Sequence, residues 1–257
     1  MQPLTTAQIQ QFKIDGYLVL PGLLGVSNAD KLLNVAEEHL SREVEPYELE
    51  ADVAYPGAPA SRDAQGGKTI RRLLHAHDRD ELLRETARNA IIVDGIKEIL
   101  DVGDLYINPN HHNCIMTKQP AYSSETLWHR DTRYWNFTDK YLINAWFPLR
   151  DEHQANGAIK VLPGSHRWEV PSEALDEHQF LKLNHEYNQD RLATQRVVEL
   201  NVGDALLFSA HTFHAAGKNQ SDKTKFSLVY TYHGPDTLAI ENTRSAVYPP
   251  IPINSRD

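Results

Sequence analysis

A histidine and an aspartate near the middle of the chain are spaced so that they could bind one metal ion. His129 and Asp131 lie two residues apart in the segment Trp128-His129-Arg130-Asp131. On a β-strand, side chains i and i+2 point to the same face, so an imidazole and a carboxylate could reach the same ion. A chain with 13 histidines also forms such a pair by chance. The rest of the sequence therefore has to support the metal hypothesis.

Two further histidines follow an apolar run in the second half of the chain. The run after Gly203-Asp204 leads to His211 and His214. Two histidines and one carboxylate form the iron face of non-heme Fe(II) oxygenases and leave positions for a co-substrate, O₂ or water. His211 and His214 would face opposite ways on a strand, so we expect one of them to be structural. Lys225, eleven residues after His214, is a cation that could hold the distant carboxylate of a keto acid chelated on the iron.

The elements that would position these residues are helices in the first half and strands in the second. Helical patterns run from residue 5 or 6 to 13 and over residues 27–41, 77–88 and 90–100. Short apolar runs separated by turn signals predict strands over residues 105–107, 113–117, 141–149, 158–162, 196–200, 205–209 and 226–232. Residues 43–67 lack periodicity and are predicted to form a lid, and residues 168–191 a surface insertion. Many short strands favour a sandwich or barrel.

The length and composition are typical of a soluble globular chain. The 257 residues can form a single domain, which we expect to have a helical N-terminal part over about residues 1–104 and a β core over about 105–233. One cysteine, Cys114, excludes a disulfide scaffold and a four-cysteine zinc site, and it favours a reducing compartment.

Charge and hydropathy exclude several other classes of protein. The net charge of −9 works against binding to nucleic acid or to an anionic membrane. No apolar window approaches the ~18 residues of a membrane span, and the first residues lack the pattern of a secretory signal. These features predict a cytoplasmic protein that acts on a small-molecule substrate.

Several blocks of sequence occur in a recognisable order between about residues 4 and 233. They are Asp15-Gly16-Tyr17, Trp128-His129-Arg130-Asp131, Asn156-Gly157, Pro163-Gly164-Ser165-His166, and His214 followed by Asn219-Gln220-Ser221. Together they resemble the phytanoyl-CoA dioxygenase family of Fe(II)/2-oxoglutarate-dependent oxygenases. The resemblance implies a mainly β fold with a helical wrap, a double-stranded β-helix (a distorted, cupin-like jelly roll) with iron at one mouth.

The resemblance also implies an activity and a set of residues. In this family the distal iron ligand stands five residues before the Asn of the Asn-x-Ser motif. The resemblance therefore implies that His214 binds the iron together with His129 and Asp131. Trp146 would line the 2-oxoglutarate pocket, and Trp135 would contact the substrate. The implied enzyme consumes 2-oxoglutarate and O₂ at Fe(II) and releases succinate and CO₂. The resemblance does not imply a substrate, and we expect the enzyme to hydroxylate a small polar metabolite.

Two positions depart from the family pattern at the co-substrate end. Lys225 stands where the family usually has an arginine, and lysine supplies a point charge without the bidentate fork. Ala216 stands where a serine or threonine is common. We expect Arg71 or Arg72 to compensate for the missing fork and Thr126 to contribute a hydroxyl. The retained Asp131 differs from halogenating relatives, which replace this carboxylate by a small residue.

The stretch before the His-x-Asp motif supplies candidates for substrate contacts. Asn110, His112 and Lys118 are predicted to face the pocket. Two other functions use the same residues: a cupin-like isomerase or hydrolase with another divalent metal, and a non-catalytic β-helix that binds a ligand without 2-oxoglutarate.

Overall fold

The computed structural model describes residues 3–53, 55, 57–139 and 141–254. Within them, the helices are α1 (Thr6–Asp15), α2 (Val26–Ser41), α3 (Ala76–Arg79), α4 (Glu81–Ala87), α5 (Ala90–Leu100) and α6 (Glu186–Leu192). The strands are β1 (Tyr17–Leu20), β2 (Tyr47–Leu49), β3 (Ile70–Leu74), β4 (Leu105–Ile107), β5 (Asn113–Lys118), β6 (Thr126–His129), β7 (Leu142–Pro148), β8 (Ile159–Val161), β9 (Arg196–Val197), β10 (Ala205–Ser209), β11 (His214–Ala216), β12 (Lys225–His233) and β13 (Ile251–Ile253). No helix in these ranges is long and apolar enough to cross a membrane.

The strands form two antiparallel sheets. The larger sheet has the order β1-β10-β7-β12-β5-β3-β2, and β4 pairs with both β12 and β13. The smaller sheet has the order β6-β11-β8-β9. Along the β-helix part, the chain alternates between the two sheets from β5 to β8 and again from β9 to β12, while β8 and β9 are neighbours in the smaller sheet. This is the jelly-roll arrangement that the resemblance implies.

The larger sheet is buried on both faces. One face carries Ile143, Ala145 and Phe147 of β7, which belong to a core shared with the N-terminal helices. The other face carries Trp146, which packs with Ile159 and other residues of the smaller sheet. A strand covered on both sides needs continuous apolar residues, and every residue of β7 is buried.

Local sequence signals explain where the helices begin and end. Thr5 caps α1 through a reciprocal capping box with Gln8, as the sequence predicts for one of two threonines. The predicted helix over residues 77–88 is two short helices, because Asp80 is extended between them. The Asp80 side chain accepts a hydrogen bond from the Leu82 N–H at 2.8 Å and so caps α4.

The N-terminal part contributes strands as well as helices. β1, β2 and β3 lie in the larger sheet, and β3 pairs with β5. The predicted lid over residues 43–67 is not structureless, since it contains β2 and a 3₁₀ turn over residues 50–52. Ala54 and Pro56 of this segment lie outside the described residues. Two acids of the segment pair with arginines of β3: Glu48 lies near both Arg71 and Arg72, and Glu50 pairs with Arg71.

Candidate metal centre

Three buried side chains converge between the two sheets. His129 ends β6, Asp131 begins the 3₁₀ turn that follows, and His214 begins β11. One ligand atom from each lies within 4.8 Å of the other two. The Nε2 atoms of His129 and His214 are 3.8 and 3.7 Å from Asp131 Oδ1. Two imidazoles and a carboxylate in this arrangement are the donor set that Fe(II) oxygenases use.

The three side chains come together in a different way from the one that the sequence predicted, which was a shared face of one strand. Asp131 is not on the same strand face as His129, because β6 stops at His129 and the chain turns. His214 faces His129 directly across the β6–β11 pair. Strand pairing therefore brings the two histidines together, and the turn brings in the carboxylate.

Both histidines are held so that the same ring nitrogen faces the centre. His129 Nδ1 is 2.7 Å from Leu127 O, and His214 Nδ1 is 3.0 Å from Thr212 O. A carbonyl oxygen only accepts, so each Nδ1 carries the proton and each Nε2 keeps a lone pair. Metal-binding histidines are commonly oriented in this way, so the residues present fit an iron ion.

The Asp131 carboxylate is oriented by an amide on β7. Asn144 Nδ2 donates to Asp131 Oδ2 at 2.7 Å, which leaves Oδ1 toward the histidines. Burial opposes the charged form, but His112, His214, His129 and the bond from Asn144 together lower the pKa of Asp131 below its usual value. The carboxylate is thus charged and available as a ligand near neutral pH.

Two adjoining cavities meet at His129 and Asp131. The inner cavity, about 700 Å³ out to its open mouth, is lined by the triad and by Met116, Lys118, Thr126, Trp146, Ile159, Ala216 and Lys225, among others. The outer cavity is lined by His129 and Asp131 together with Asp52, His111, Arg133, Tyr134, Trp135 and Arg244, among others. Tyr55, Arg72 and His112 line both. One side of the centre thus has room for a co-substrate and the other for a substrate.

A buried ion pair closes the far end of the inner cavity. Lys225 Nζ donates to Glu152 Oε2 at 2.9 Å and to Ser227 Oγ at 3.1 Å. Glu152 Oε1 accepts from Trp146 Nε1 at 2.9 Å and from Ser227 Oγ at 2.5 Å. Lys225 and Glu152 are 3% and 0% exposed, so this ion pair is shielded from water.

Lys118 is a second cation at the same end. Its Nζ donates to Ser124 O at 2.9 Å and to Gly217 O at 2.6 Å. Burial, Arg71 and Lys225 together lower the pKa of Lys118 to about 7. The sequence predicted a contact with substrate for this residue, but it lines the inner cavity and not the outer one.

Two arginines of β3 flank the inner cavity with their acids. Arg71 Nη1 donates to Glu50 Oε2 at 3.2 Å, and its Nη2 is 3.5 Å from Thr126 Oγ1. Arg72 Nε is 3.3 Å from Glu48 Oε1. Arg71 is therefore committed to Glu50, whereas Arg72 borders both cavities near the metal centre.

Aromatic and imidazole rings shape the outer cavity. Trp135 stacks on His111 with ring centroids 4.7 Å apart and meets His112 edge-on at 5.2 Å. Burial is the main cause that lowers the pKa of His111 to about 3 and that of His112 to about 4, so both are neutral near pH 7. His112 also approaches the centre, with its Nε2 3.7 Å from Asp131 Oδ1.

Two sequence candidates lie away from the centre. Asn110 lines neither cavity, which corrects the expectation that it faces the pocket. Its amide nitrogen is 2.9 Å from both Ser245 O and Tyr248 O, so it ties the C-terminal segment to the strand region. His211 is outside the triad and lies 3.4 Å from Thr132 Oγ1.

Three residues of the site were not identified from the sequence. Glu152 and Asn144 hold Lys225 and Asp131, and Phe180 belongs to the predicted surface insertion but is 1% exposed. The Phe180 ring meets the His129 ring edge-on at 6.0 Å, and Arg133 lies 3.8 Å above the Phe180 centroid. No local sequence pattern points to Glu152, which lies 73 residues from Lys225.

Known proteins resemble the chain along most of its length. The family model for phytanoyl-CoA dioxygenase (PhyH) matches residues 12–227. An ectoine dioxygenase from Halomonas elongata is 23% identical, covering 93% of this chain and 73% of the relative. One from Stutzerimonas stutzeri is 24% identical, with coverages of 91% and 78%.

Solved structures share the fold. The apo form of EctD from S. alaskensis has a TM-score of 0.74 at 20% identity, covering 93% of this chain and 80% of that one. The carbocyclase SnoK from nogalamycin biosynthesis has a TM-score of 0.71 at 17% identity, with coverages of 100% and 97%. With its family match across residues 12–227, the chain belongs to the phytanoyl-CoA dioxygenase family and is a 2-oxoglutarate-dependent, non-heme iron dioxygenase.

Proposed function

We propose that the chain hydroxylates a small polar metabolite, with 2-oxoglutarate converted to succinate and CO₂. The observation that carries this proposal is the approach of His129, Asp131 and His214 ligand atoms to within 4.8 Å at the junction of two cavities. In this proposal the chain acts as one oxygenase domain, with the N-terminal part of about residues 1–104 packed on the β core of about 105–233.

The three ligands would hold Fe(II), and the bound iron would supply the oxidation of 2-oxoglutarate and of the substrate. The chain itself holds the ligands in place. Leu127 O and Thr212 O fix the histidine tautomers, and Asn144 fixes the carboxylate. Pre-orientation of this kind saves the cost of ordering the ligands when the metal binds.

The inner cavity is proposed to receive 2-oxoglutarate. Lys225 would attract its distal carboxylate, and the indole of Trp146 would form a wall of the cavity, because both line it beyond the metal ligands. Thr126 and Arg72 also line this cavity and are proposed to bind co-substrate oxygens. Burial in this cavity excludes water and strengthens each charge-assisted contact.

The outer cavity is proposed to receive the substrate. Trp135 and His112 would form its inner wall, and Tyr55 borders both cavities at the junction. The lining mixes aromatic rings with arginines and acids, which suits a small polar molecule better than a lipid tail. Several relatives are ectoine dioxygenases, and a small-molecule substrate in these proteins supports the same class of substrate here.

Anaerobic titration of 2-oxoglutarate into Fe(II)-loaded protein tests the co-substrate. We expect the weak visible metal-to-ligand charge-transfer band of a keto acid chelated to Fe(II), and no band at millimolar concentrations would contradict the proposal. Asp131→Ala should abolish the band or the iron content, whereas His211→Gln, outside the triad, should retain both. An unchanged spectrum in Asp131→Ala would refute the ligand assignment.

The reaction itself is tested by a screen of polar metabolites. Coupled turnover should release one succinate per oxygenated product, with a product mass increased by one oxygen atom. Oxygen-independent conversion of a substrate would instead indicate an isomerase or hydrolase. Because the fold is shared with the epimerase SnoN and the carbocyclase SnoK from nogalamycin biosynthesis, the product mass is the decisive measurement.

A further inference from the structure

We propose that Lys118 and Lys225 together bind the distal carboxylate of 2-oxoglutarate. Each ammonium would donate to one carboxylate oxygen, and the pair would replace a single arginine fork. This inference rests on the proposed function and adds Lys118 as a residue that determines co-substrate affinity. It also explains how a chain with a lysine at position 225 can hold a dicarboxylic keto acid.

The two lysines are direct neighbours across an antiparallel strand pair. Lys118 ends β5 and Lys225 begins β12, and the register places these two residues opposite each other. Opposite residues on such strands project to the same face with Cβ atoms about 5 Å apart. Both side chains line the inner cavity beyond the metal ligands. Their ammonium groups therefore approach one small volume from adjacent strands.

Each ammonium has one hydrogen-bond donor left for a ligand. A lysine carries three N–H donors. Lys118 uses two of them on Ser124 O and Gly217 O, and Lys225 uses two on Glu152 and Ser227. Two remaining donors from two directions match the two oxygens of one carboxylate.

The charges around Lys118 favour an anion in the cavity. Like charges directly opposite on paired strands are unfavourable, and Lys225 is already neutralised by Glu152. Among the described residues, no carboxylate lies within 4.0 Å of Lys118 Nζ. The acids that act on Lys118 are the more distant Glu50 and Glu125, whereas Arg71 and Lys225 oppose its charge. A carboxylate placed between the lysines would supply the missing counter-charge.

A glycine makes room for the Lys118 stem. Gly157, in the turn before β8, has a φ of 78°, and a Cβ built there would lie 3.0 Å from Lys118 Cδ and 2.5 Å from Gly217 O. The Asn156-Gly157 turn of the sequence thus permits the close packing that directs Lys118 into the cavity.

The test compares a keto acid that has the distal carboxylate with one that lacks it. Calorimetry on anaerobic Fe(II)-loaded protein measures the Kd of 2-oxoglutarate and of 2-oxopentanoate, which has a methyl group in place of that carboxylate. Lys118→Met and Lys225→Met each remove one ammonium and keep most of the stem. Lys182→Met is the control, because Lys182 also donates to a backbone carbonyl, Glu173 O, but is exposed.

We expect Lys118→Met to raise the Kd of 2-oxoglutarate about tenfold or more, as for one lost charge-assisted hydrogen bond. The Kd of 2-oxopentanoate should change by less than about threefold, and the control should bind both like the wild type. Equal losses for both keto acids, or no loss for either, would overturn the role of Lys118. Failure of the wild type to bind 2-oxoglutarate at all would instead contradict the proposed function.

A second measurement needs no variant. Because the pKa of Lys118 is lowered to about 7, most of this amine is neutral at pH 8 before the ligand binds. A carboxylate beside it raises that pKa, so binding of 2-oxoglutarate should take up a proton from solvent at pH 8 and little at pH 6. Calorimetry in buffers of different ionisation enthalpy measures this uptake. The same uptake with 2-oxopentanoate, or none with 2-oxoglutarate, would refute the inference.

Discussion

The buried ion pair between Lys225 and Glu152 offers the sharpest test of how the inner cavity is built. The substitution Glu152→Gln keeps the shape and an acceptor for Trp146 and Ser227, but it removes the counter-charge of Lys225. Since the pair is 3% and 0% exposed, water cannot replace the lost partner. Breaking such a pair usually costs about 3–5 kcal/mol.

The loss in the free energy of unfolding should therefore be about 3–5 kcal/mol. For a chain of this size that corresponds to a fall in Tm of roughly 6–20 °C.

Urea unfolding of the metal-free protein at pH 7, followed by circular dichroism, measures this loss. The double variant Glu152→Gln, Lys225→Met carries no buried charge at this position, so it should be more stable than the Glu152→Gln variant. The control is Glu38→Gln at an exposed pair with Arg42, expected to cost less than about 1 kcal/mol. A loss under about 1 kcal/mol for Glu152→Gln, or additive losses in the double variant, would refute the reasoning.

Three further predictions address pH, backbone and metal. Burial holds the pKa of His111 at about 3 in the folded protein, so below about pH 6.5 the unfolded chain binds a proton that the folded protein does not. Through this residue, the free energy of unfolding should fall by about 2 kcal/mol between pH 6.5 and pH 5. Urea unfolding of His111→Gln should show a shallower pH dependence than the wild type, and an unchanged slope would contradict this prediction. Gly157→Ala should lower the free energy of unfolding by about 1–3 kcal/mol, because it forces a side chain into positive φ and a close carbonyl contact; Gly103→Ala, with open space around it, should not. Fe(II) at a hundred times its Kd should raise stability by about 2.7 kcal/mol, and a thermal shift that survives in Asp131→Ala would show that the iron binds elsewhere.

Much of the architecture was predictable from the sequence because its signals are local. The capping box at Thr5 and the apolar period of the strands depend only on residues close together in the chain. For this reason α1 and most strands of the second half lie where they were predicted. Asp80 shows the limit of this approach. An aspartate can either continue a helical pattern or cap a new helix, and in the structure Asp80 caps α4.

The candidate metal ligands were identified through the resemblance more than through spacing. The period-two argument for His129 and Asp131 assumed a continuous strand, and the chain turns at that point. His211 and His214 remained equivalent to any argument from periodicity. Only the pairing of β11 with β6 places His214 directly opposite His129.

By itself, the sequence determined the family, the β-helix class and the residue types that could hold iron, because motifs and hydrophobic periodicity depend on neighbours in the chain. The tertiary structure decided which charges meet. Glu152 lies 73 residues from Lys225, and Lys118 faces Lys225 only because β5 and β12 pair in one register. Such contacts depend on strand pairing across long separations, which no local pattern encodes. The arrangement of two lysines and one buried acid at the inner cavity is therefore a property of the fold.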